Sequence, residues 1–171
     1  HELTGTSRKI AFAPVTDSHT RVLILGSLPG DTSLKAGQYY GHPQNAFWRL
    51  VGGLIEHDLA AMAYLERLEM LKAAGIGLWD VVARAERKGS LDADIRNAEA
   101  ADLRTLVRTL PELRAIAFNG ATAARIGRRT LAELDGIALI DLPSSSPALA
   151  KPLAWKAQSW AVLREYLPPP A

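Results

Sequence analysis

From Gly26 to Trp48 the chain reads Gly-Ser-Leu-Pro-Gly-Asp-Thr-Ser-Leu-Lys-Ala-Gly-Gln-Tyr-Tyr-Gly-His-Pro-Gln-Asn-Ala-Phe-Trp. Several of these side chains can grip a flat, polar ring. Tyr39 and Tyr40 offer aromatic faces for stacking, and the Asn45 carboxamide offers a donor and an acceptor. A bland reading stands beside each: Asn45 can brace the loop by bonding backbone, and Phe47 and Trp48 simply pack the helix that follows. Gly26-Ser27-Leu28-Pro29-Gly30 reads as a tight turn needing glycine's conformational freedom. It is neither a dinucleotide fingerprint nor a phosphate loop, because the Gly-Lys-Ser/Thr ending is missing.

Composition removes several chemistries. The absence of cysteine excludes disulfides, a thiol nucleophile and a thiolate-held cluster. His1, His19, His42 and His57 lack the spacing of a zinc site. Twenty Lys and Arg against 18 Asp and Glu permit nucleic-acid binding through a local patch without demanding it. No apolar run approaches the roughly 18 residues that span a bilayer. The first residues do not have the zones of a secretion signal, so the expected location is cytoplasmic and the expected state a monomer.

The elements that must position these groups follow from hydrophobic patterning. Val22–Leu25 is an apolar run ending at Gly26 and predicts a central buried strand. Residues 26–48 predict one long ordered loop, of a length that compact domains keep for function. Helices are predicted over 47–56, 59–74, 98–109, 121–126 and 155–167, with Gly75 and Pro111 as stops. Further extended segments are predicted at 76–82, 113–118 and 137–142, and turns at Lys88-Gly89-Ser90 and Asn119-Gly120. Asn119 reads as the N-cap of the following helix. Residues 8–14 predict a loosely constrained leading segment whose Ile10 and Phe12 pack on the core. The alternation implies an α/β fold, a three-layer α/β/α sandwich around a central, mostly parallel four-stranded sheet. Residues 1–171 are expected to form one domain, with 1–7 and 168–171 as flexible tails. In such sheets the loops leaving the carboxyl ends of the strands line the ligand crevice.

Two motifs together carry a resemblance. His42-Pro43-Gln44-Asn45-Ala46-Phe47-Trp48, following Gly26-Ser27-Leu28-Pro29-Gly30, resembles the first motif of the uracil-DNA glycosylase superfamily. It is similar to the mismatch-specific uracil glycosylases, and the preceding Gln38-Tyr39-Tyr40 resembles the hypoxanthine-DNA glycosylase branch. The likeness extends to Leu78-Trp79-Asp80-Val81-Val82, to Asn119-Gly120-Ala121-Thr122-Ala123 and to Leu142-Pro143-Ser144-Ser145-Ser146-Pro147.

By that resemblance Asn45 is the catalytic residue, while Gly26, Ser27, Leu28, Tyr40 and Asp80 bind the base. Tyr40 matches the aromatic that stacks on a flipped base. Asp80 stands where relatives read the base edge. An ionised aspartate offers acceptors only, which suits the N1–H of hypoxanthine, though a turn-capping Asp fits the sequence equally. Pro143, Ser144, Ser145, Ser146 and Pro147 match the loop that presses the minor groove, and small hydroxyl residues can bond phosphates. Arg125, Arg128, Arg129, Lys151 and Lys156 offer further phosphate contacts, although arginines at a helix end also complement its dipole. Leu28 departs from the pattern, because many relatives carry there the Asp or Asn that orients water. The implied activity is a monofunctional glycosylase acting on DNA with a deaminated base, hypoxanthine first, and it requires neither a metal nor an organic cofactor. The alternatives are a mismatch-specific uracil glycosylase and a non-catalytic lesion-binding module. Lys35 keeps Schiff-base chemistry open.

Overall fold

The run Val22–Gly26 forms strand β2 in a computed structural model, which describes residues 6–10, 12–88 and 95–169. It is buried along its whole length. Its neighbours are β3 (Ile76–Asp80) on one side and β6 (Ala115–Asn119) on the other, and β7 (Ala138–Leu142) completes a four-stranded parallel sheet in the order β3-β2-β6-β7. Successive β2 side chains alternate between two cores. Val22 and Ile24 face one with α2 (Phe47–Ile55), α3 (Tyr64–Ala73) and α6 (Leu153–Trp160). Leu23 and Leu25 face the other with α4 (Leu103–Arg108) and α5 (Ala121–Thr130). A parallel sheet covered on both faces needs strands that are apolar on both sides, and β2 and β6 are such strands. The expected three-layer sandwich is the observed one.

Several element expectations are corrected. The loop after β2 contains a short helix, α1 (Asp31–Ala36), closed by Gly37 at φ 67°. The leading segment is not loose: β1 (Thr6–Ile10) pairs antiparallel with β4 (Val82–Lys88), and Val15 bridges Leu78. The extended segment at 76–82 is two strands, β3 and the start of β4, which turn about Val81 into different sheets. The helix expected over 98–109 begins as strand β5 (Ile95–Ala100), paired with β4, and only Leu103–Arg108 is helical. Sheet pairing overrides the helix-forming composition of Ala98-Glu99-Ala100-Ala101. Of the turn expected at 88–90, Lys88 ends β4, and Gly89 and Ser90 lie outside the described residues. The helix expected over 59–74 is a 3₁₀ turn, Leu59–Ala61, followed by α3. The closing helix starts at Leu153 and tightens to 3₁₀ at Ala161–Tyr166. Among the described residues, no helix is long and apolar enough to cross a membrane.

Strand order reverses at β2: the chain leaves it for β3 on one side and later returns to β6 on the other. Loops leaving the carboxyl ends of β2 and β6 therefore diverge and open a crevice.

Candidate active site

A cavity of about 630 Å³ occupies that crevice, walled by the loops after β2 and β7 and by the last residues of β3 and β6. Gly26, Ser27, Leu28, Tyr40, Asn45, Asp80, Ser144, Ser145, Ser146 and Pro147 line it. Pro143 does not; its carbonyl instead accepts the Trp160 Nε1–H at 2.9 Å and anchors the serine turn to α6.

Gly26 and Asp80 are register partners at the ends of β2 and β3. A methyl group at position 26 would lie 2.8 Å from Asp80 Oδ1 and 3.0 Å from Tyr40 Oη. Only a residue without Cβ lets the carboxylate and the phenol close over the strand end. Asp80 is 4% exposed. Among the described residues it is the only carboxylate on the cavity wall.

The two tyrosines divide their work. Tyr39 packs inward, donating from its hydroxyl to the Ala13 carbonyl at 2.7 Å. Its backbone N–H donates to Tyr64 Oη at 2.9 Å, and its carbonyl accepts from Trp48 Nε1 at 3.2 Å. Burial, with the charge of Asp80 nearby, pushes the Tyr39 phenol far above its usual range. Tyr40 sits at φ 53°, an uncommon conformation for a bulky side chain and one that accumulates at functional sites. Its ring stacks on Phe47 with centroids 3.9 Å apart and an interplanar angle of 12°. Phe47 is fully buried, so Tyr40 stands between it and the cavity as a backed aromatic wall.

Asn45 both braces the loop and lines the cavity. Its Oδ1 accepts the Phe47 backbone N–H at 2.9 Å, which fixes the carboxamide at the start of α2. That bond turns Oδ1 toward the backbone, and Nδ2 keeps its two donor hydrogens. His42, which the motif contains but to which no role was given, also lines the cavity. Its Nδ1 accepts from the Gln44 N–H at 3.1 Å, so in the neutral ring Nε2 carries the proton.

Asn119 is not an N-cap; Gly120, at φ 103°, occupies that position of α5. Asn119 instead bonds Ser145 twice across the cavity floor, and the Ser145 carbonyl accepts the Ala46 N–H at 3.0 Å. Sequence reading missed this because the bond spans 26 positions with no local pattern. Two of the expected phosphate contacts are committed elsewhere. Arg128 pairs with Asp141 at 3.0 Å and covers the Phe118 ring, while buried Lys156 donates to the Ser146 carbonyl at 3.0 Å. Desolvation lowers the Lys156 pKa. Among the described residues, no three His, Cys, Asp or Glu side chains cluster as a metal site would require.

The arrangement joins a carboxylate acceptor, a carboxamide donor and a rigid aromatic face around one hole open to solvent. It can hold a planar heterocycle by one edge and one face. Residues 13–164 match the family model described as the uracil DNA glycosylase superfamily. The chain is 41% identical over 154 residues to a hypoxanthine DNA glycosylase of Methanosarcina barkeri, covering 90% of this chain and 96% of that one. It is 46% identical over 140 residues to a hypoxanthine DNA glycosylase of Methanosarcina acetivorans, covering 82% and 87%. Its fold is similar to the solution NMR structure of a candidate uracil DNA glycosylase from Methanosarcina acetivorans, with a TM-score of 0.79 and 40% identity over 92% of this chain and 97% of that one.

Proposed function

The chain belongs to the uracil DNA glycosylase superfamily, and from that premise we propose that it excises hypoxanthine from DNA, hydrolysing the N-glycosidic bond to leave an abasic site. One observation carries the reading: the Asp80 carboxyl, whose ionised form only accepts, and the Asn45 carboxamide share one cavity wall with Tyr40, in a chain similar over most of its length to hypoxanthine glycosylases.

The target atom is unreachable inside a duplex, so the nucleotide must be extruded, and mispaired or damaged bases extrude at lower cost. In the cavity the base stacks on the Tyr40 face that Phe47 supports from behind. Hypoxanthine presents an N1–H, which the Asp80 carboxylate accepts; adenine presents a lone pair there and is repelled. As the C1′–N9 bond breaks, its electron pair passes to the base and the sugar becomes oxocarbenium-like. Asn45 Nδ2 and backbone N–H groups of the Gly26–Gly30 turn donate to the base as it gains negative charge. Water then adds at C1′ and releases its proton.

Leu28 cannot polarise that water, and the Phe47 N–H holds Asn45 Oδ1 toward the backbone. In this reading Asn45 Nδ2 serves the departing base. No metal, organic cofactor or Schiff base enters these steps. The serine turn, Pro143 to Pro147, lies against the minor groove, and the Ser144 and Ser146 hydroxyls bond phosphates while buried Ser145 holds the turn on Asn119. The same reading has the chain working as a monomeric single domain in the cytoplasm.

Base release from hypoxanthine- and uracil-containing duplexes tests the proposal. Hypoxanthine is expected to leave faster. Release of uracil alone would favour the mismatch-specific reading, and binding without release of either base would favour the non-catalytic module.

A further inference from the structure

Three large apolar side chains stand exposed among the described residues: Leu65, Leu153 and Trp155. A scattered one needs no explanation. Leu153 and Trp155, however, share the first turn of α6, just past Ser146 and Leu149 on the cavity wall. Trp155 is 43% exposed, and the Lys151 ammonium lies 5.2 Å from its ring centre. The patch thus joins an open aromatic face to a cation. Its position relative to the cavity is set by Lys156, whose buried ammonium donates to the Ser146 carbonyl at 3.0 Å, and by the Trp160 bond to Pro143 at 2.9 Å.

We propose that Trp155 and Lys151 form a second DNA contact beside the base-receiving cavity, the indole stacking on a base uncovered by extrusion and the ammonium meeting an adjoining phosphate. The identity of the occupant as DNA rests on the glycosylase reading above. A flat ring next to a cation matches the two features that every nucleotide repeats, a π face and a phosphate. Extrusion also leaves a gap in the base stack, and an apolar ring placed against the gap recovers part of its cost. Lys151 gives up the indole to the base and moves its charge to the backbone, so the pair converts an internal cation–π contact into two external ones.

The test uses the full chain and a fluorescently labelled duplex carrying a tetrahydrofuran abasic analogue, which has no base to release. Trp155→Ala is expected to weaken binding about tenfold, the scale of one lost base–aromatic stack. Trp155→Phe should keep most of the affinity, and Lys151→Ala should reduce the salt slope by about one. Both side chains are at the surface, and melting curves check that the fold persists. Trp155→Ala binding within about twofold of wild type, while wild type still releases hypoxanthine, would overturn this surface alone. Wild type that fails to release hypoxanthine yet binds the duplex through Trp155 would overturn the substrate reading and leave the surface standing.

Discussion

Asn119 and Ser145 hold each other by two hydrogen bonds of 2.9 Å, Asn119 Nδ2 donating to Ser145 Oγ and the Ser145 N–H donating to Asn119 Oδ1. Because the Ser145 carbonyl takes the Ala46 N–H, one side chain at the end of β6 ties the serine turn to the residue beside Asn45. Asn119→Leu strips both partners from a buried serine, at a cost of about 1–3 kcal/mol. The expected outcome is a lower melting temperature and base release slowed about tenfold, because Ala46 and the serine turn lose their common anchor. Asn119→Asp, whose carboxylate can accept from both the Ser145 N–H and Oγ–H, should recover part of the rate. Equal rates for the Leu and Asp variants would show that the paired bonds do not position the site.

Asp80 should determine which base is released. Asp80→Asn replaces an acceptor-only group with one that donates and accepts, while keeping the shape at the end of β3. Parallel single-turnover assays should find hypoxanthine release reduced about tenfold and the uracil-to-hypoxanthine ratio raised. A ratio that does not move would assign Asp80 to structure alone.

Tyr39 makes stability fall at alkaline pH. Its phenol titrates far above the ordinary value of 10.0 because burial disfavours the phenolate, with the Asp80 charge adding to the effect. The unfolded chain loses this proton near pH 10 while the folded chain keeps it. The contribution is therefore complete below pH 10 and is lost as pH climbs beyond that value. Tyr39→Phe should cost about 1 kcal/mol at neutral pH, through the lost bond to the Ala13 carbonyl. It should also decline less steeply above pH 10, and the remaining slope includes Tyr64, whose pKa burial likewise raises. Urea melts across that range measure both effects.

The parallel sheet was legible because strands buried on both faces must be continuous apolar runs, as Val22–Leu25 and Ala115–Phe118 are. The small antiparallel sheet was not. β4 reads Val-Ala-Arg-Ala-Glu-Arg-Lys and β5 Ile-Arg-Asn-Ala-Glu-Ala, charged stretches with helix-forming composition. Pairing holds them as strands, with Arg84 reaching Glu99 at 3.4 Å between them. Helix α1 escaped for a different reason: six residues with only Ser33 buried carry no usable hydrophobic period. The cavity wall followed from motifs, since Gly26, Tyr40, Asn45 and Asp80 sit in short recognisable stretches. Asn119 also sits in such a stretch, but its place before a helix reads locally as an N-cap, and its partner Ser145 lies on the far side of a helix and a strand. For Asn45, bracing and lining had looked like competing roles, yet the two ends of one carboxamide serve both.

Single-turnover release of hypoxanthine from duplex DNA by wild type and Asn45→Ala, each with its melting curve, bears most directly on the central claim that the Asn45 amide donates to the departing base. The predicted result is rapid release by wild type and a loss of about tenfold or more in the variant, with stability lowered by no more than the roughly 1 kcal/mol of the Phe47 N–H bond. Release by a folded Asn45→Ala protein within about twofold of wild type would contradict it.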